Sequence, residues 1–214
     1  MVNSVQTEPP PTGWDATGVV LAGGRSVRFG SDKLVAELDG VPLLHHAVSR
    51  IGAVTGDVVV VLAPNADEPP MPPGTSVGFA HDAHSGEGPL AGALAGLEVV
   101  SRRLALVVGG DMPDLSPEVL QEMLGVAERT DAGAVALQDG DRFRPLPAVL
   151  RTENARIAAR ALVAAGERRL RSLVTALDPT VIDEASWLAL DPARRTLVDV
   201  DEPADLARAG APLA

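Results

Sequence analysis

Short, nearly continuous apolar runs alternate along this chain with longer stretches in which apolar residues recur at helical spacing. Gly18-Val-Val-Leu-Ala22, Asp57-Val-Val-Val-Val-Leu-Ala63 and Leu104-Ala-Leu-Val-Val108 lack polar alternation, the pattern of strands covered on both faces. Further strands are predicted at residues 75–80, 134–137, 146–150 and 196–200. Helices are predicted at 42–51, 89–100, 117–129, 153–165, 168–177 and 203–209. Two of these carry start signals: Pro42 stands at a first turn, and Ser116 precedes Pro117 as cap and first helical position. Residues 64–74 hold five prolines in eleven positions and read as a loop. Strand and helix alternate with no internal repeat and no interdomain linker. The expected fold is one α/β domain, a doubly wound, mainly parallel sheet with helices on both faces.

Composition sharpens this picture. At 214 residues the chain can bury a sizeable core without a second domain. Aromatic residues make up only 2%, so the core must be built from Val, Leu, Ala and Ile, which suits a parallel sheet under helical cover. A formal net charge of -11 argues against broad attraction to nucleic acid or to an anionic membrane face. Any anion it binds must be held locally. The absence of cysteine excludes disulfides, thiolate metal sites and a cysteine nucleophile, and is compatible with a reducing cytoplasm. The first residues lack the basic and apolar segments of a secretory signal, and no later run approaches membrane-spanning length. Residues 1–15, with Pro9 to Pro11, are expected to form a disordered leader ahead of a domain at 16–214.

Where the first strand ends, glycines, cations and an aspartate follow within a few residues. In such folds ligands bind beyond the carboxyl ends of the strands, and this stretch stands at such a place. Gly23 and Gly24 let phosphates approach main-chain N–H groups, and Arg25, Arg28 and Lys33 supply positive charge. A Walker loop needs Gly-Lys followed by Ser or Thr, whereas the loop here runs Gly30-Ser-Asp-Lys33, and the dinucleotide pattern GxGxxG is missing too. On these residues alone, a glycine-rich turn with surface cations is the competing explanation.

The whole stretch Leu21-Ala-Gly-Gly-Arg-Ser-Val-Arg-Phe-Gly-Ser-Asp-Lys33 closely resembles the LAGGxSxRMGxDK signature of the sugar nucleotidyltransferase-like superfamily, in particular the molybdenum cofactor guanylyltransferases, with Phe29 in place of the usual Met. The resemblance implies that the backbone of Leu21, Ala22 and Gly23 holds base and ribose, while Arg25 and Lys33 hold phosphates. It implies GTP as donor and molybdopterin carrying molybdenum as phosphorylated acceptor. A cytidylyltransferase for the same cofactor, a transferase for another phosphorylated acceptor, and a nucleotide sensor without turnover are the alternatives. Oligomeric state stays open.

Substitution at a triphosphate calls for a divalent cation such as Mg²⁺, which takes oxygen ligands. Leu104-Ala-Leu-Val-Val-Gly-Gly-Asp-Met-Pro113 supplies Asp111 at a strand end and resembles the family's xxDxP motif, whose aspartate binds magnesium. Asp82 precedes Gly86-Glu-Gly-Pro-Leu-Ala-Gly92, which resembles the GPLAG segment, so a nucleotide contact is implied for it. His81 and His84 flank Asp82 without a third ligand for zinc, and ordinary loop histidines fit them better. Leu197-Val-Asp-Val-Asp-Glu-Pro-Ala-Asp-Leu206 resembles the family's NVNTPEDL, with Asp199 and Asp201 where that pattern has asparagines. On a strand both would face one way; Asp201 is expected either to contact metal or nucleotide or to cap the last helix. Ala165-Gly-Glu-Arg-Arg-Leu-Arg-Ser-Leu173 resembles the AGERRxxxFL segment. Arg168, Arg169 and Arg171 there are either a receptor for the acceptor's phosphate or helix-surface charge. Arg144-Pro-Leu-Pro147 stands where the family carries a His-Pro-Leu-like segment beside the acceptor.

Overall fold

The computed structural model describes residues 13–23, 36–82, 88–200 and residue 205. In chain order the described strands are β1 (Ala16–Leu21), β2 (Glu37–Leu38), β3 (Val41–Pro42), β4 (Asp57–Leu62), β5 (Ser76–His81), β6 (Leu104–Gly109), β7 (Ala134–Asp139), β8 (Arg142–Arg151) and β9 (Thr180–Ile182). The helices are α1 (Leu43–Thr55), α2 (Pro89–Val99), α3 (Pro117–Arg129), α4 (Thr152–Ala164), α5 (Leu170–Ala176) and α6 (Glu184–Leu188). Seven strands form one sheet in the order β5-β4-β1-β6-β8-β7-β9, and β2 pairs with β3 in a separate small hairpin. Within the large sheet, β8 alone runs antiparallel to its neighbours β6 and β7.

The parity of side chains along each strand divides the core in two. Val20, Val60, Leu106 and Val108 pack with α1, α3 and Trp187 of α6 on one face. Val19, Val61, Ala105 and Val107 pack with α2, α4 and α5 on the other. All six residues of β6 are buried, which explains why its sequence shows no polar alternation. Helix α2 lies so close to the sheet that a Cβ at Gly96 would come within 2.6 Å of Val19 Cγ1 and 2.9 Å of Val61 Cγ2. No described helix is long and apolar enough to cross a membrane.

The doubly wound, mainly parallel fold is as expected, with local corrections. Residues 196–200 are not a strand. Arg194 takes a left-handed conformation (φ 57°), and Arg195–Leu197 forms a 3-10 turn. The buried Thr196 finds side-chain partners instead of a ladder: its N–H donates to Asp191 Oδ2 at 2.7 Å, and its Oγ1 accepts from the Ser116 N–H at 3.1 Å. Strand β8 begins at Arg142 rather than Leu146, and β2, β3, β9 and α6 were not foreseen. Pro42 belongs to β3 and serves as the N-cap of α1, so the helix begins one residue after the predicted start. At the amino end, Trp14 packs against the core and the Asp15 carbonyl accepts from Leu104 N–H at 3.0 Å, so these two residues join the domain rather than the leader. Residues 1–12 and the expected helix at 203–209 fall outside the described residues, apart from residue 205.

Candidate functional site

Four parallel strands and one helix converge on a cavity of about 370 Å³ lined by Leu21, Gly23, Asp82, Gly92, Asp111 and Leu146 among others. It lies beyond the carboxyl ends of β1, β4, β5 and β6, where α/β sheets hold ligands. Hydrogen bonds extend the sheet past the end of each strand and fix the residues that follow. Ala22 N–H donates to the Val61 carbonyl at 2.8 Å, Gly110 N–H to Leu21 at 3.0 Å and Asp82 N–H to Leu62 at 3.0 Å. Gly23 runs against the neighbouring main chain, where a Cβ would stand 3.2 Å from Ala63 N. Ala22, between the lining residues Leu21 and Gly23, is itself buried.

Asp111 owes its position to the end of β6. A Cβ on Gly109 would fall closer than 3.0 Å to Asp111 Oδ1, so the carboxylate occupies the space that any other residue would fill. The turn that places it closes by Met112 N–H donating to the Gly109 carbonyl at 3.3 Å, with Met112 buried beneath. From the outer side, Val200 N–H donates to the Asp111 carbonyl at 3.0 Å. Asp82 reaches in from β5, its Oδ2 4.0 Å from where a Gly92 Cβ would sit in the first turn of α2. That helix has neither a side-chain cap nor an acidic residue in its first turn, so its positive end is turned to the cavity without a protein carboxylate of its own. Two carboxylates, the amino end of a helix and an apolar wall at Leu146 suit a polyanionic nucleotide held with a cation.

The sequence-predicted residues Leu21, Gly23, Asp82 and Asp111 thus line one cavity, and Ala22 is buried between the first two. Gly24, Arg25, Arg28, Lys33, His84 and Asp201 lie outside the described residues. His81 Nε2 is bonded to the Ala66 carbonyl at 3.1 Å, and among the described residues no three His, Cys, Asp or Glu gather as a metal site. Asp199 does not stand on a strand, so the expected alternation with Asp201 does not apply; its Oδ2 accepts from Arg144 Nη2 at 2.6 Å.

The segment carrying Arg168, Arg169 and Arg171 docks on the same helix end. The Arg168 carbonyl accepts from Leu90 N–H at 3.2 Å, and Gly88 (φ 87°) passes so near that a Cβ would stand 2.8 Å from that oxygen. Arg169 pairs with Glu167 at 3.2 Å, and Arg171 stacks over the Phe143 ring at 4.7 Å. The Ser172 hydroxyl, followed by the N–H groups of Arg169 and Arg168, holds the Glu167 carboxyl down at about 2. Leu146 was singled out only within Arg144-Pro-Leu-Pro147. The pairing of β7 with β8 jumps from Leu137↔Arg144 to Ala136↔Ala148, so residues 145–147 stand outside the register and bring Leu146 to the cavity. Two prolines inside a strand pattern were the signal.

A second opening of about 490 Å³ lies at the amino ends of the strands, lined by Asp15, Thr17, Asp57, Ser76 and Arg102 among others. Arg102 is already paired there, 3.7 Å from Asp15 and 3.4 Å from Asp57.

Comparison with known proteins bears on the first cavity. Residues 18–181 match the family described as MobA-like NTP transferase domain. The chain is similar to a protein of Natronomonas pharaonis named "Probable molybdenum cofactor guanylyltransferase", 35% identical over 198 residues that cover 91% of this chain and 96% of the relative. A protein of the same name from Mycobacterium tuberculosis is 40% identical over 167 residues, 75% of this chain and 80% of that one. In fold, the chain is similar to the crystal structure of "Molybdopterin-guanine dinucleotide biosynthesis protein A" from Archaeoglobus fulgidus. The TM-score is 0.73 at 21% identity, over 90% of this chain and 95% of that one.

Proposed function

This chain belongs to the MobA-like NTP transferase domain family, and from that premise we propose that it transfers GMP from GTP to the molybdopterin form of the molybdenum cofactor, releasing pyrophosphate. The observation that carries the reading is Asp111, set over Gly109 at the end of a buried strand and sharing one cavity with the amino end of α2. Relatives named as guanylyltransferases, similar along most of the chain, support the choice of substrates.

In this reaction an oxygen of the acceptor's phosphate attacks the α-phosphorus of GTP. A new P–O bond forms, the bond to the bridging oxygen of the β-phosphate breaks, and its electron pair leaves with pyrophosphate. The acceptor phosphate is already ionised at neutral pH, so the chain needs to supply no strong base. It supplies alignment and charge. The backbone from Leu21 to Gly23 receives base and ribose, and Arg25 and Lys33 receive phosphates. The arginines at 168, 169 and 171, beside the end of α2, receive the acceptor.

Asp111 offers oxygen donors, the chemistry of a hard cation such as Mg²⁺, with Asp201 as its candidate partner, and Asp82 is a candidate nucleotide contact. When bound, such a cation neutralises charge on the polyphosphate and on the leaving group. We place the reaction in the cytoplasm, with which the cysteine-free composition is compatible.

The test offers the protein molybdenum-loaded molybdopterin, Mg²⁺ and one of GTP, CTP, ATP or UTP, and measures pyrophosphate and the dinucleotide product. GTP is expected to support turnover well above the others. Preference for CTP would make the chain a cytidylyltransferase, and binding without pyrophosphate from any nucleotide would make it a sensor; either result overturns the proposal.

A further inference from the structure

Between residues 191 and 200 the chain makes one 3-10 turn, yet it delivers Val200 to the outer side of Asp111. Val200 is fully buried and packs with Leu38 and Leu43. One guanidinium spans the residues just before it. Arg144 Nη2 donates to the Leu197 carbonyl at 3.5 Å and to Asp199 Oδ2 at 2.6 Å. The guanidinium is itself oriented from the β7–β8 hairpin. Its Nη1 lies 3.9 Å from Asp139 Oδ2, while Asp139 Oδ1 accepts from Arg194 Nη2 at 2.7 Å. Arg194 is braced in turn by Glu184 and by the Trp187 ring, 5.3 Å away. Arg144 also immediately precedes residues 145–147, the out-of-register segment that carries Leu146 to the cavity.

The Arg144 and Asp199 side chains are 32% and 35% exposed. Ion pairs so open to water add little to overall stability. What distinguishes this one is its place, joining the strand behind one wall of the cavity to the segment that supports Asp111. We propose that Arg144 and Asp199 are a positioning pair, which holds residues 197–200 so that Val200 fixes the Asp111 backbone for cation and triphosphate. The inference rests on the reading of Asp111 given above. It assigns no contact between either residue and substrate.

The experiment compares Arg144→Met, Asp199→Asn, the double variant and Arg144→Lys by three measurements. The first is amide hydrogen exchange at Val200 in the protein without nucleotide or metal. The second is the Mg²⁺ dependence of pyrophosphate release from GTP, separated into half-saturation and kcat. The third is Tm. Each single charge-removing variant should speed Val200 exchange roughly fivefold and raise the half-saturating Mg²⁺ concentration by a similar factor. The kcat at saturating Mg²⁺ and the Tm should stay near the wild-type values. The double variant should be no worse than either single one, because both remove the same bond, and Arg144→Lys should recover part of the loss. Unchanged Val200 exchange, additive effects in the double variant, or a fall in kcat with the Mg²⁺ dependence intact would each overturn the pair's role. If the wild-type protein released no pyrophosphate, the proposed function would fail while the exchange measurement still decided whether the pair anchors Val200.

Discussion

Replacing Gly109 by Ala should separate activity from stability more cleanly than replacing Asp111 itself. The backbone at Gly109 lies outside the left-handed region, so alanine meets no conformational penalty there. The added methyl would come closer than 3.0 Å to Asp111 Oδ1 and 3.3 Å from Met112 Cγ. The first neighbour is the end of a short side chain and the second part of a flexible thioether, so both can give way without unfolding the strand. Turning Asp111 off its rotamer costs about 0.5–1.5 kcal/mol. Loss of glycine's freedom in the unfolded chain offsets about 0.4–1 kcal/mol. The balance lies within about 1 kcal/mol, a Tm change of roughly 2–4 °C for a chain of this size. Catalysis should suffer far more, because displacing a preorganised charged group costs on the order of 100-fold in kcat. The assay is pyrophosphate release from GTP with Mg²⁺ and acceptor, beside thermal unfolding of the same sample. Turnover within about threefold of wild type, with the Tm preserved, would show that the carboxylate's place over Gly109 is not what the reaction uses.

A glycine substitution at the other side of the cavity should behave in the opposite way. Gly88→Ala puts a side chain at φ 87°, with its Cβ 2.8 Å from the Arg168 carbonyl, and a backbone atom cannot swing aside. It should destabilise the fold by about 1–3 kcal/mol and lower the Tm accordingly, and a Tm equal to wild type would contradict the close docking of the arginine segment on α2. Glu167→Gln tests the same segment by pH. The Glu167 carboxyl is held at about 2 instead of 4.5, so its stabilising contribution is complete above 4.5 and disappears as pH falls from there towards 2. The variant should have a lower urea midpoint than wild type at pH 6 and approach it near pH 2; a gap that stays constant through that range would remove the carboxylate from the account.

Much of the fold could be read from local pattern because burial on both faces leaves a mark in any short window. The unbroken apolar runs of β1, β4 and β6 announce a sheet covered twice, and the Ser116-Pro117 start of α3 holds in the structure, with Val119 N–H donating to Ser116 Oγ at 3.3 Å. The apolar run at 196–200 misled for the opposite reason. Its burial is real, since Thr196 and Val200 are both fully covered, but the partners are Asp191 and Ser116 for one and Asp111 for the other. Hydrophobicity registers that a segment is buried, not which groups receive its hydrogen bonds.

The sequence by itself determined that this would be an α/β domain with a glycine-rich, cationic turn after its first strand and an aspartate after a later buried one. Those features depend on the side-chain period and on residue chemistry, which neighbours along the chain suffice to express. Only the tertiary structure decided that β8 runs against the rest of the sheet, that residues 145–147 leave the register to expose Leu146 to the cavity, and that Gly109 must be glycine to make room for Asp111. The tertiary structure alone also joined Arg144 to Asp199 across 55 positions. Contacts at such separations depend on how whole elements pack, and packing is a property of the assembled sheet that no stretch of sequence holds alone.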